Sequence, residues 1–212
     1  MGEDPLDDLL SSTPASVFQK PKQLILILRD AYTIGVPPLM LKSMTDRIQQ
    51  SAGFTFHLGT PDVEMRRIAS WLMSGCGNSP KTIRKIVRIL WKRHGREDLK
   101  MVGLILANLE PDALEGGLWE LLGTVVGSTE ATSIVLEVIE EVFRGGHASP
   151  KPKLLEKWSQ KSKILHQISM LIIHVDWQRN KQPELDSHLL AIIESCPVED
   201  ELLGRIQSRL LA

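Results

Sequence analysis

The sequence repeatedly places a proline directly after a serine or threonine, at 13–14, 60–61, 79–80 and 149–150. Serine and threonine favour the N-cap of a helix, and proline is tolerated at the first helical position because its missing N–H would have no partner there. The residues that follow these pairs include apolar stripes with helical spacing, as in Ile83, Ile86, Val87, Leu90 and Trp91. These signals predict a chain built from short helices.

Apolar spacing between the helix starts predicts ten helical segments: 14–33 (bent or broken at Pro21), 37–51, 61–74, 80–93, 97–109, 111–126, 129–144, 152–175 (in two pieces), 183–195 and 198–211. The only strand-like run, residues 53–59, has no partner and is predicted to be a loop.

The predicted fold class is all-α, an antiparallel helical array of HEAT-like or armadillo-like units in a superhelix. Two helices with their turns span about 35 to 45 residues, as in those repeats. Residues 13–212 are predicted to form one such domain, and the acidic residues 1–12 a flexible arm. The segment 97–109 is apolar nearly all round, which predicts a helix covered on both sides. A compact bundle is the competing architecture.

Composition excludes several classes of protein. The net charge is −1, and no apolar run approaches the roughly 20 residues that span a bilayer. The acidic N-terminus lacks the features of a signal peptide, so a cytoplasmic protein without membrane contact is expected. Cys76 and Cys196 lack a nearby second ligand and are predicted to be free thiols.

No motif for a cofactor or a metal is present. The chain has no phosphate-binding glycine loop, no HExxH and no GxSxG, so no cofactor is expected. His166 and His174 lie eight positions apart, about 12 Å along a helix, which is too far for one ion. Glu97 and Asp98 lie in a first helical turn, where the dipole favours anions, and adjacent residues point about 100° apart. No catalytic residue is therefore assigned.

Local charge is more informative than net charge. Residues 81–100 hold eight Lys or Arg against two acids, residues 101–145 hold one Arg against eight acids, and 146–167 are basic again. A continuous basic face of this kind binds phosphates, although a solvated face balanced by its acidic neighbour is the alternative. The predicted nucleic-acid-binding residues are Lys81, Arg84, Lys85, Arg88, Lys92, Arg93, Lys153, Lys157 and Lys161, with Trp158 as a stacking platform for a base.

Three segments in order resemble the AlkD-type DNA alkylation-repair glycosylases, which are all-helical HEAT-like proteins. They are GVPPLMLKSMTDRI (35–48), ILWKRHGREDLKMVGLILANL (89–109) and EKWSQKSKILHQISMLII (156–173). The resemblance covers about residues 35–175 and implies a HEAT-like scaffold with a DNA-facing surface.

The catalytic groups of that family do not carry over. The family uses an aspartate four residues after a tryptophan, but Gly123 stands four residues after Trp119. A second registration places Ser128 and Thr132 at those two positions, and the family's arginine falls near Gln167.

The resulting hypothesis is an AlkD-like scaffold that binds duplex DNA or another polyanion through a concave basic face, without glycosylase chemistry. One alternative is an active alkylpurine glycosylase that uses Glu120 or Glu130. The other is a scaffold that holds a protein or peptide in its groove.

Overall fold

All regular structure in the described residues is helical. The computed structural model describes residues 4–37, 53–77, 79–110, 113–128 and 130–212. These residues form eleven α-helices and one 3-10 helix, without a strand, so the predicted all-α helical array is confirmed. No helix in this part of the chain is long and apolar enough to cross a membrane.

The chain divides into two compact units, residues 1–117 and 118–212, where the sequence predicted one domain over 13–212. The first unit holds α1 (Pro5–Ser12), the 3-10 helix (Ala15–Gln19), α2 (Pro21–Thr33), α3 (Asp62–Cys76), α4 (Pro80–Arg93) and α5 (Arg96–Ala107). From the junction onward follow α6 (Gly117–Val125), α7 (Thr132–Arg144), α8 (Pro152–Lys161), α9 (Lys163–Arg179), α10 (Ser187–Glu194) and α11 (Glu201–Leu210).

Several helix boundaries agree with the proline signals. Helix α4 begins at Pro80, and the predicted break before α2 falls at Pro21. Residues 53–59 form the predicted loop. The helix expected over 111–126 is shorter because Gly116 and Gly117, with φ of 81° and 79°, form a left-handed turn before α6. Apart from position 37, the helix predicted over 37–51 lies outside the described residues.

The prediction of a flexible arm over 1–12 is wrong for residues 4–12. Helix α1 buries Leu6 and Leu10, which are 2% and 7% exposed. Asp4 lies 2.8 Å from the Arg67 guanidinium, and the Trp71 indole donates to the Leu10 carbonyl at 3.0 Å. The acidic residues of this segment occupy the outer face of a packed amphipathic helix.

Each unit is organised around one enclosed helix. In the first unit α5 packs on α3 and α4, and its residues 101–106 are all buried, which confirms the enclosed helix predicted from its apolar perimeter. In the second unit α9 is buried from Leu165 to Val175 and packs against α7, α8, α10 and α11.

Candidate anion-binding face and the charged core beside it

Helix α4 presents four exposed cations on one face: Lys81, Lys85, Arg88 and Lys92. At 1.5 Å per residue the row is about 16 Å long. Its opposite face consists of the apolar stripe predicted from the sequence, from Ile83 to Trp91, and all five of those side chains are buried. Packing of this stripe fixes the rotation of the helix, and so holds the basic face toward solvent.

The charge of this face is not compensated within its own helix. The segment 80–93 contains no acidic side chain. In the described part of the chain, none of the four exposed cations is paired with a carboxylate. The helix ends at His94, which has a φ of 58° and whose N–H binds the Leu90 carbonyl at 3.2 Å. The residue in left-handed conformation that ends α4 is therefore His94.

Arg84 lies at the margin of the basic face. Its side chain is half-buried, and its guanidinium donates to the backbone carbonyl of Glu115. It therefore contributes positive charge beside the row and is already engaged with the chain.

Arg93 does not belong to the exposed row, which corrects the prediction that it contacts phosphates there. Its Nε lies 2.9 Å from Oδ2 of Asp98, and the side chain is 24% exposed. Its Nη1 donates to the Ile25 carbonyl at 3.4 Å, and its guanidinium lies 5.5 Å from the centre of the Phe56 ring. One residue further along a helix turns the side chain by about 100°, which takes Arg93 from the solvent face of Lys92 to the edge of the core.

Glu97 and Asp98 are both fully buried. Oε1 of Glu97 accepts hydrogen bonds from the Leu58 and Gly59 amides at 3.0 and 2.9 Å, and lies 3.8 Å from Nε2 of His57. Glu97 thereby anchors the 53–61 loop to the start of α5. Asp98 instead pairs with Arg93, so the two carboxylates have separate partners.

The environment of Asp98 favours its neutral form. Burial raises the pKa of its carboxyl to about 7; the positive charge of Arg93 opposes this shift, and the charge of Glu97 adds to it. Burial, followed by the charge of Asp98, also raises the pKa of the Tyr32 phenol. Neither acid reaches solvent, so this charged core can orient Arg93 and the loop but cannot transfer a proton to a bound substrate directly.

The second basic segment lies on α8, where Lys153, Lys157 and Lys161 are exposed. Trp158 is only 4% exposed, which corrects its predicted role as a stacking platform. A Cβ at Gly123 would stand 2.5 Å from Cζ2 of Trp158, so the indole packs directly on the glycine of α6. The helical spacing that exposes the lysines turns the intervening tryptophan inward.

The positions expected to hold glycosylase groups carry other roles. Gly123 is covered by Trp158, and the Gln167 amide donates to the Pro197 carbonyl at 3.0 Å. Thr132 is buried and bonds to Asp200. Glu120 is exposed, and Glu130 accepts a hydrogen bond from the Gly127 amide at 3.0 Å. These contacts form no recognisable cluster of reacting groups.

His166 bonds to the backbone, and the two cysteines are not joined in a disulfide. Nε2 of His166 lies 2.8 Å from the Ile192 carbonyl, and among the described residues no group of three His, Cys, Asp or Glu side chains is arranged to hold a metal ion. Cys76 and Cys196 are free thiols, as predicted, and burial raises their pKa values to about 11 and about 12. Neither is therefore a thiolate near neutral pH.

Comparison of the chain with protein-family models, with curated proteins and with solved structures finds no match.

Proposed function

We propose that this chain is a HEAT-like helical scaffold that binds the phosphates of a nucleic acid, duplex DNA in the first instance, without glycosylase chemistry. The observation that carries the proposal is the row of four exposed cations on α4, none of which has a carboxylate partner among the residues that the structure describes. Because burial of the opposite stripe fixes the orientation of α4, the row faces solvent along one line before a ligand arrives. Such a row suits a ligand with regularly repeated anions.

The exposed lysines of α8 support the same function within the second unit. Lys153, Lys157 and Lys161 recur every four residues, although exposed Glu156 lowers the net charge of this helix. We therefore expect the α8 lysines to contribute less to affinity than the α4 row.

Binding of a labelled duplex to the full chain, measured by fluorescence anisotropy at several salt concentrations, tests the proposal. Steeply salt-dependent binding is expected, because each phosphate contact releases condensed counterions. Affinity that does not change with salt contradicts it.

A base-release assay tests the absence of glycosylase chemistry. Duplex DNA containing N3- or N7-alkylated purines is incubated with excess protein, and no release above a protein-free control is expected. The reason is that the resemblance puts an uncharged residue at both expected positions: Gly123 in one registration or Thr132 in the other, and Gln167 near the arginine. Release that depends on Glu120 or Glu130 shows that the chain is an enzyme.

A peptide-binding scaffold is the second candidate, and one cavity favours it. A groove of about 660 Å³ in the second unit is lined from α8, α9 and α10, with Lys153, His166 and Ile192 among its residues. Its size is that of a typical ligand site. This candidate predicts that Ala191→Trp, which fills the groove, abolishes capture of a peptide and leaves any binding of duplex DNA unchanged.

A further inference from the structure

A small apolar pocket lies beside the C-terminal end of α4. It has a volume of about 350 Å³ and is lined by Leu26 and Arg29 of α2, Phe56 and Leu58 of the 53–61 loop, and Arg93. This volume is at the lower end of the range for ligand sites, which is about 300–1,000 Å³. The pocket therefore suits one ring system better than an extended ligand.

Arg93 is held at this pocket before any ligand arrives. Asp98 fixes its Nε at 2.9 Å, the Ile25 carbonyl accepts from its Nη1 at 3.4 Å, and the Phe56 ring lies 5.5 Å from its guanidinium carbon. A side chain ordered in advance loses little conformational entropy when it contacts a ligand. Guanidinium planes and aromatic rings are both surfaces on which bases stack.

The outer side of the pocket combines an exposed apolar group with a second cation. Leu26 is 61% exposed, unusually high for a large apolar side chain in this fold. Arg29, three residues further along α2, is exposed and has no carboxylate partner in the described part of the chain. An apolar surface beside a free cation is complementary to a flat ring that is linked to a phosphate.

The pocket lies beside the C-terminal end of the basic row, about a quarter turn around α4 from its exposed face. Arg93 directly follows Lys92, the last exposed cation of α4, and their Cα atoms are about 3.8 Å apart. A phosphate chain bound along α4 therefore passes near the pocket.

We infer that this pocket receives an unpaired base of the nucleic acid whose phosphates lie along α4. The inference rests on the proposed function and specifies the ligand: a single strand, or a duplex with a base outside the stack. A fully paired duplex offers only its phosphates, because its bases are enclosed by stacking and pairing. Leu26, Leu58 and Phe56 cover the apolar faces of the base, while Arg29 binds the adjacent phosphate.

Anisotropy titrations of the full chain with three labelled oligonucleotides test this inference: a paired duplex, the same duplex with one bulged adenine, and the single strand. We expect the bulged duplex to bind about tenfold more tightly than the paired one, the scale of one base stacked on an aromatic ring. Leu26→Glu places a carboxylate at the pocket and should reduce this preference to less than about twofold. Arg29→Gln should weaken binding of the bulged duplex several-fold.

Val63→Glu is the matched control, because Val63 is 68% exposed on α3, is not one of the lining residues and gives the same charge change. The Val63→Glu variant should keep the tenfold preference for the bulged over the paired duplex. Thermal unfolding establishes that each variant is folded. If the wild type binds paired and bulged duplexes equally and in a salt-dependent manner, the inference that the pocket receives a base is wrong, and the proposed function stands. A preference that survives Leu26→Glu also overturns this inference. Absence of binding to all three oligonucleotides at low salt overturns the proposed function itself.

Discussion

Replacing Lys85 and Arg88 by glutamine removes two of the four exposed cations of α4 and leaves its buried stripe unchanged. A plot of the logarithm of the binding constant against the logarithm of salt concentration has a negative slope, and the four α4 cations alone contribute about −3.6 to it if all of them contact phosphates of duplex DNA. Between 50 and 200 mM salt this contribution corresponds to a loss of about 150-fold in affinity. With two contacts left, the contribution is about −1.8 and the loss about 12-fold.

Anisotropy titrations with a paired duplex at four salt concentrations measure both slopes. The control is the double variant Lys20→Gln and Lys22→Gln, because these two exposed lysines lie at the start of α2 and their loss changes the net charge equally. A control that retains the wild-type slope, beside a variant whose slope is smaller in magnitude by about 1.8, assigns the contacts to the α4 row. Equal slopes for the wild type and the α4 variant contradict these contacts, since the replaced side chains then bind no phosphate.

Three further predictions concern the structure around the candidate site. Trp158→Ala should lower the free energy of unfolding by about 3–5 kcal/mol in urea titrations, because the indole is buried. DNA affinity should not change. Weakened DNA binding by a folded variant would support a stacking role for Trp158. Gly123→Ala should lower the free energy of unfolding by about 1–3 kcal/mol, although alanine usually stabilises a helix relative to glycine, because the added methyl group meets the Trp158 indole. The loss should be smaller when Trp158 is replaced by leucine. A gain in stability would contradict the close packing on the indole. Leu6→Ala should lower the free energy of unfolding by about 2–5 kcal/mol, because the Leu6 side chain is buried. An unchanged free energy of unfolding would mean that α1 is not part of the core.

A fourth prediction concerns pH and follows from the buried carboxyl of Asp98. Its pKa is about 7 in the folded protein and about 3.9 in an unfolded chain, so the folded state binds the additional proton between these values. The stability of the wild type, measured relative to Asp98→Asn, should therefore fall as the pH rises from 4.5 to 7, by up to about 1.4 kcal/mol per pH unit. Urea titrations of both proteins across this range provide the test, and a difference that stays constant or grows with pH contradicts the shift.

Much of the local structure was predictable. The break at Pro21, the start of α4 at Pro80 and the enclosed helix α5 all follow from capping preferences and apolar periodicity. These signals act within about one helical turn, so they need no knowledge of distant partners. The same holds for the basic face of α4, because the periodicity that identifies the buried stripe also identifies the opposite side.

Other features were not predictable from local spacing. Phe56 approaches Gly95 so closely that a Cβ there would stand 2.0 Å from its ring, although the two residues are 39 positions apart in the sequence. Local spacing does not predict helix α1, because its two core leucines lie in a short segment that is rich in acidic residues. The burial of Glu97 and Asp98 has one local signal: a helix that is apolar all round is enclosed, so its charged first turn is enclosed as well.

The start of most helices and the charged side of α4 follow from the amino-acid sequence alone, because both depend on residues only a few positions apart. Which charged and aromatic groups remain available to a ligand depends instead on how the helices pack. Arg93 pairs with Asp98 at the edge of the core, and Trp158 packs on Gly123 beneath the α8 lysines. Neighbouring residues on a helix differ in direction by about 100°, so the packing of each helix determines which of them faces solvent and which faces the core.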